Sequence, residues 1–175
     1  MKKLLVSLLL IGGGFLAYSY NAIPMHSKQL TLVDAHVSMP EPLMAETQKT
    51  TFYNLELLGY SEANDMFMMT MVAEDPFEKA TIEDLGRLEE QMKLYAQQMG
   101  GTFAADIGET HSDQRRIMVQ GRPGIRFENS IKDMTILTQC VIEDGKAIMQ
   151  IAAYHSSLKN RFAAKKFMSS VEFPD

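Results

Sequence analysis

Residues 121–154 read GRPGIRFENSIKDMTILTQCVIEDGKAIMQIAAY, and this stretch decides the architecture. Gly121-Arg122-Pro123-Gly124 is a tight turn. Ile125, Phe127, Asn129 and Ile131 then alternate with Arg126, Glu128, Ser130 and Lys132, the period-two pattern of a half-buried strand. Residues 134–143 follow as a second strand and residues 147–154 as a third. Between them stands Asp144-Gly145, a pair that tolerates the positive φ a two-residue hairpin turn demands. Strands joined this tightly pair antiparallel.

Upstream, the alternation recurs. Val33, Ala35, Val37 and Met39 point one way and Asp34, His36 and Ser38 the other, until Met39-Pro40-Glu41-Pro42 breaks the ladder. Residues 43–50 resume in extended form. Tyr53, Leu55 and Leu57 then alternate with Asn54 and Glu56, and Gly59 to Asp65 is turn material. Residues 66–73 are apolar on both faces, which suits a strand covered on two sides. Residues 81–99 read as the long helix of the chain. Thr81 and Asp84 have capping-box spacing, and Ile82, Leu85, Leu88, Met92, Tyr95 and Met99 fall on one stripe. Gly100-Gly101 stops it, and extended segments are expected at 102–107 and 115–120. Ser157 caps a closing helix with Leu158, Phe162, Phe167 and Val171 turned inward. The expected fold is α+β: one antiparallel β-sheet flanked by helices, a single domain over residues 30–175.

The first residues, MKKLLVSLLLIGGGFLAYSY, specify a compartment. Lys2 and Lys3 precede an apolar run, and Ala17 and Ser19 occupy the small-residue positions that a signal peptidase reads, so residues 1–19 are expected to be a signal peptide cleaved before Tyr20. Uncleaved, the same segment is an anchor with the remainder of the chain on the far side of the membrane. Gly12-Gly13-Gly14 weighs against a permanent transmembrane helix. No cysteine stands here for lipid attachment. Residues 20–29, with Pro24, read as a linker or flexible arm.

The full chain of 175 residues carries a net charge of −5, and losing Lys2 and Lys3 makes the mature domain more acidic still. Such a surface repels phosphate backbones, which excludes nucleic acid as a partner, and it disfavours anionic lipid headgroups. Contact with a membrane is expected only through the N-terminal segment, if that segment stays uncleaved. Cys140 is the one cysteine. It allows no internal disulfide, and with Met134, Ile136, Thr138 and Ile142 on its face it reads as a buried, inert thiol.

Met66, Met68, Met69 and Met71 supply soft thioethers suited to Cu(I), two to each face of a strand, and equally suit gap filling in a core. His26, His36, His111 and His155 lack zinc-site spacing, although Asp34 with His36 and His111 with Asp113 each pair an imidazole with a carboxylate. Ser156 to Lys159 matches the S-x-x-K pattern of penicillin-recognising enzymes without its companion motifs. Pro123 has no N–H and spoils a phosphate cradle at 121–124. No catalytic residue, cofactor-binding residue or metal ligand is assigned, and no cofactor is expected.

Met39-Pro40 with Pro42, the helix at 81–99, the turn at 121–124, the Asp144-Gly145 hairpin and the closing FMSSVEF of residues 167–173 occur in an order that resembles the Mog1/PsbP-like superfamily, including its exported bacterial proteins of DcrB type. The resemblance covers residues 30–173 and implies an α/β/α sandwich. It also implies a non-enzymatic role in binding or assembly, with no ligand-binding residue carried over. The expected function is therefore an exported, periplasmic protein-binding or assembly module of the bacterial cell envelope, with an envelope protein or complex as its partner. A periplasmic copper- or zinc-binding protein is the alternative, and an enzyme built from scattered residues a third class.

Overall fold

The computed structural model describes residues 20–49, 54–62, 65–75, 79–81, 83, 113–131 and 133–174. Among them run β1 (His26–Gln29), β2 (His36–Met39), β3 (Met44–Lys49), β4 (Asn54–Glu62), β5 (Met66–Glu74), β6 (Asp113–Val119), β7 (Arg122–Ile131), β8 (Met134–Glu143), β9 (Lys146–His155) and α1 (Leu158–Met168). Strands β3 to β9 form one sheet in the order β3-β4-β5-β9-β8-β7-β6, and β1 pairs with β2 alone. Every neighbouring pair is antiparallel. After β5 the chain crosses to the far edge and returns strand by strand until β9 closes on β5.

Two of the hairpin turns of the returning meander owe their shape to backbone chirality. Asp144 (φ 50°) and Gly145 (φ 74°) join β8 to β9 in the left-handed geometry of a two-residue turn. Gln120 (φ 48°) and Gly121 (φ 81°) do the same between β6 and β7. The tight turn expected at 121–124 is thus displaced: Arg122, Pro123 and Gly124 already belong to β7. Gly124 lies against β8, where an added Cβ would run into the Cys140 carbonyl oxygen.

Period-two alternation gives the sheet two different faces. One buries Leu58 and Tyr60 of β4, Met66, Met68 and Val72 of β5, Leu137 and Val141 of β8, and Ile148, Ala152 and Tyr154 of β9. Onto it pack α1, through Ala163, Ala164, Phe167 and Met168, and the β1–β2 layer, through Leu30, Ala35, Val37 and Met39. Ala163 and Ala164 bring the helix backbone close to the strands, and Phe167 fills the centre of the contact. The opposite face carries Ile125, Phe127, Cys140 and Met149, with Met71, Ile142, Ala147 and Ile151 against them. The Ser157 hydroxyl caps α1 by accepting from Asn160 N–H at 3.1 Å, as expected. Leu158 is exposed rather than inward, and Val171 is buried beyond the helix end.

Two expectations are corrected. The α+β sandwich, an antiparallel sheet flanked by helices, gives way to a fold dominated by its sheet, with, among the described residues, one helix of eleven residues lying on one face. The helix expected over 81–99 falls almost wholly outside the described residues. Alternation reports that a strand face is shielded from water and is silent on whether a helix or another strand shields it. Residues 20–29 are not an arm either. Residues 26–29 form β1, and Ile23 sits in the core. Lys28 and Glu41 form an ion pair at 2.7 Å, and Tyr20 meets Phe162 edge to face at 5.7 Å between centroids. The polar sequence of β1 reflects a strand whose neighbour supplies the apolar contacts.

Candidate functional site

At the β8–β9 hairpin end, a cleft of about 420 Å³ opens beneath the segment joining β1 to β2. Gln29 to Asp34 line one wall, and Glu143, Asp144 and Lys146 line the other. Leu30 and Val33 dip into the core and hold the segment down. Its curvature comes from bonds of Leu30 N–H to the Ala35 carbonyl and of Ala35 N–H to the Val33 carbonyl, both 2.9 Å.

A buried carboxylate fixes that wall. Glu56 on β4 is 3% exposed, and its Oε2 accepts from Thr31 N–H at 2.7 Å and Leu32 N–H at 3.0 Å. A short loop has few partners for its amides, and one carboxylate oxygen satisfies two of them. The neighbouring Leu32 carbonyl accepts from Lys146 Nζ at 2.6 Å, and Lys146 also pairs with Glu74 at 3.2 Å. Asn54 Nδ2 donates to Glu74 at 2.8 Å. Hydrogen bonds from Asn54 and then Lys146 hold the Glu74 carboxyl below the usual carboxylate range.

The opposite wall is clamped as firmly. Arg122 binds Glu143 through two parallel bonds, Nε to Oε2 at 2.8 Å and Nη2 to Oε1 at 3.0 Å, and its guanidinium lies 4.1 Å from the centre of the Phe173 ring. Phe173 N–H in turn donates to Gln120 Oε1 at 2.8 Å. At the hairpin tip, Ala80 N–H donates to the Gly145 carbonyl at 2.7 Å. The Lys79 side chain lies where a Gly145 Cβ would project. With Glu143 held by Arg122 and Lys146 by Glu74, two carboxylates remain at the mouth: Asp34, exposed and accepting from Gln29 at 3.3 Å, and Asp144, exposed with no partner among the described residues. A concave wall bearing carboxylates without an ion pair among the described residues suits a cationic group from a partner.

The residues singled out in the sequence are scattered. Met66 and Met68 lie in the helix-covered core, while Met69 and Met71 lie on the other face, so the sheet separates the thioethers. His26 and His36 stand at opposite ends of the β1–β2 ladder. Asp34 meets Gln29 rather than His36, and His155 Nδ1 lies 3.1 Å from Asp133. His111 lies outside the described residues. Among those described, no three His, Cys, Asp or Glu side chains gather to hold a metal ion. Lys159 of the S-x-x-K match pairs with Glu62 at 3.2 Å. Cys140 is buried, and desolvation pushes its thiol up to about 12.

Glu56 was missed in the sequence because Leu55 and Leu57 made its face look solvated. The structure turns Glu56, Leu58 and Tyr60 toward the core and leaves Leu55 and Leu57 half-buried. The available signal was Leu58 and Tyr60, which continue the alternation on the parity of Glu56.

No family profile and no curated protein matches the chain. Among solved structures, it is similar to the solution structure of cyanobacterial PsbP (CyanoP) from Synechocystis sp. PCC 6803. The TM-score is 0.57 at 14% identity, covering 86% of this chain and 92% of that one. The chain has a PsbP-like fold. At that identity the PsbP-like likeness describes the path of the backbone and carries no residue role.

Proposed function

We propose that this PsbP-like protein is exported to the bacterial cell envelope, as in the DcrB-type branch, and acts there as a non-enzymatic binding or assembly module. Its partner is an envelope protein that presents a lysine or arginine to the hairpin-end cleft. The observation that carries the reading is the charge arrangement of that cleft. Its buried and half-buried ionic groups are engaged with one another or with backbone amides and carbonyls, and the carboxylates of Asp34 and Asp144 remain at the mouth. Groups tied down in this way position a backbone and are poor proton donors or nucleophiles, which favours recognition over catalysis. Export is supported by the lysine-led apolar run of residues 1–19. Among the described residues no helix is long and apolar enough to cross a membrane.

A photo-crosslinking amino acid at position 31, on the cleft wall, should capture an envelope protein in living cells. The same group at position 165, on the exposed side of α1, should not. Asp34→Asn with Asp144→Asn should abolish the adduct while the thermal midpoint stays put, because neither side chain is buried. Identical adducts from both positions, or an adduct indifferent to the two aspartates, would overturn the cleft as the docking point. A fusion of residues 1–30 to a reporter active only outside the cytoplasm tests export separately.

A further inference from the structure

Midway along the strands of the same sheet, a row of polar side chains crosses three strands on the helix-covered face. Arg126 of β7 faces Gln139 of β8, and Gln139 faces Gln150 of β9. Both glutamines are 1% exposed. The Phe167 carbonyl at the C-terminal end of α1 sets the polarity of the whole row. A carbonyl only accepts, so Gln150 must turn its Nε2 toward it, at 2.7 Å. Gln150 Oε1 therefore accepts from Gln139 Nε2 at 3.1 Å, and Gln139 is left with only its oxygen to offer Arg126. That oxygen takes Nε, at 3.0 Å, and Nη2 of the guanidinium.

A guanidinium has two edges able to bind in a bidentate manner. The Nε–Nη2 edge of Arg126 is occupied by Gln139, and the Nη1–Nη2 edge has no partner among the described residues. Beside it in cross-strand register stands Arg115 of β6, exposed and likewise without an ion pair there. Like charges placed directly opposite each other repel. Glu128 lies two residues along β7 on the same face and forms no ion pair with Arg126. Burial, with Arg115 next, draws the Arg126 guanidinium below its ordinary range, and the charge of Glu128 opposes them only in part.

We infer that Arg126 and Arg115 form a carboxylate-binding site that receives an acidic side chain of a partner protein. The neutral glutamine relay holds the Arg126 plane still without neutralising it, and the free edge presents two in-plane donors that match the two oxygens of a carboxylate. Arg115 adds a second positive charge from the neighbouring strand. A carboxylate suits the place better than a dianion, because the chain is acidic overall and Glu128 lies close by. The site stands independently of the hairpin-end cleft.

The test is a titration of the isotopically labelled full chain, followed at the arginine Nε–H signals and at constant ionic strength. The probes are acetyl-Gly-Glu-Gly-amide, its glutamine counterpart and inorganic phosphate. The glutamate peptide should shift the Arg126 and Arg115 signals in a saturable way, at least about fivefold tighter than the glutamine peptide. Arg115→Gln, at an exposed position that the fold tolerates, should weaken it by about threefold or more. Arg126→Lys, which keeps the charge and loses the fork, should weaken it further. Equal shifts from the two peptides would overturn the inference. So would unchanged binding to Arg115→Gln, or saturation by phosphate where the glutamate peptide has no effect.

Discussion

Alkylation of Cys140 tests the facing of the central strands. The thiol is 1% exposed, faces Met149 and Ile125 across its two neighbouring strands, and is pushed by burial from 9.0 up to about 12. At pH 8 about one thiol in 10⁴ would be thiolate, against roughly one in ten at the unshifted value, a difference of about 10³ in reactive species. Reagent also needs an opening. For a domain stable by at least about 5 kcal/mol, the fully unfolded form is populated to about 10⁻⁴ or less. Iodoacetamide labelling at pH 8, followed by intact mass, should therefore run at least about a thousandfold slower in native buffer than in denaturant. Native labelling within tenfold of the denatured rate would refute the burial and return the thiol to the candidate functional groups.

The same shift has a pH signature whose sign follows from linkage. The folded thiol holds its proton to a higher pH than the unfolded one, so its contribution to stability is fully present below about pH 9. That contribution is lost as the pH rises from about 9 to about 12, at roughly 1.4 kcal/mol per unit. Tyr60 and Tyr154, also raised mainly by burial, lose stability in the same direction at higher pH. The difference between wild type and Cys140→Ala isolates the thiol. Denaturant curves at pH 8 and pH 10 should narrow the gap between the two proteins by about 1 kcal/mol.

Glu56→Ala strips the acceptor from two loop amides and should cost on the order of 2–3 kcal/mol in urea unfolding, with faster hydrogen exchange at Thr31 and Leu32. Gly124→Ala drives a Cβ into the Cys140 carbonyl and should cost about 1–3 kcal/mol, whereas Gly59→Ala, with nothing nearer than 3.7 Å, should cost far less. Ser157→Ala removes the α1 cap and should cost about 1 kcal/mol, with Ser157→Gly losing only a few tenths.

Local chemistry made much of the molecule legible. Asp144-Gly145 turned where both residues tolerate positive φ, Ser157 capped the last helix, and Ala35, Val37 and Met39 went to the core as their alternation required. Such signals depend on neighbours within a few residues, so a linear reading captures them. The cleft and the arginine row do not work that way. Each joins residues that look unremarkable alone: Glu56 with Thr31, Lys146 with Leu32, and Gln139 and Gln150 between Arg126 and the end of α1.

Glu56 shows why. Taken with Leu55 and Leu57 it looks like an outward carboxylate, and only the arrival of the loop at residues 31–32 makes a buried position tolerable by supplying two amides. Gln139 and Gln150 sit at core positions for the same reason, each satisfied by a partner on another strand or on the helix. Most of the antiparallel strands, the Asp144-Gly145 turn and the capped closing helix are readable from the linear chain, because period-two alternation, backbone chirality and capping act over short range. The tertiary structure alone decided which layer covers which face, and which polar groups are buried, because both depend on contacts between segments distant in the chain.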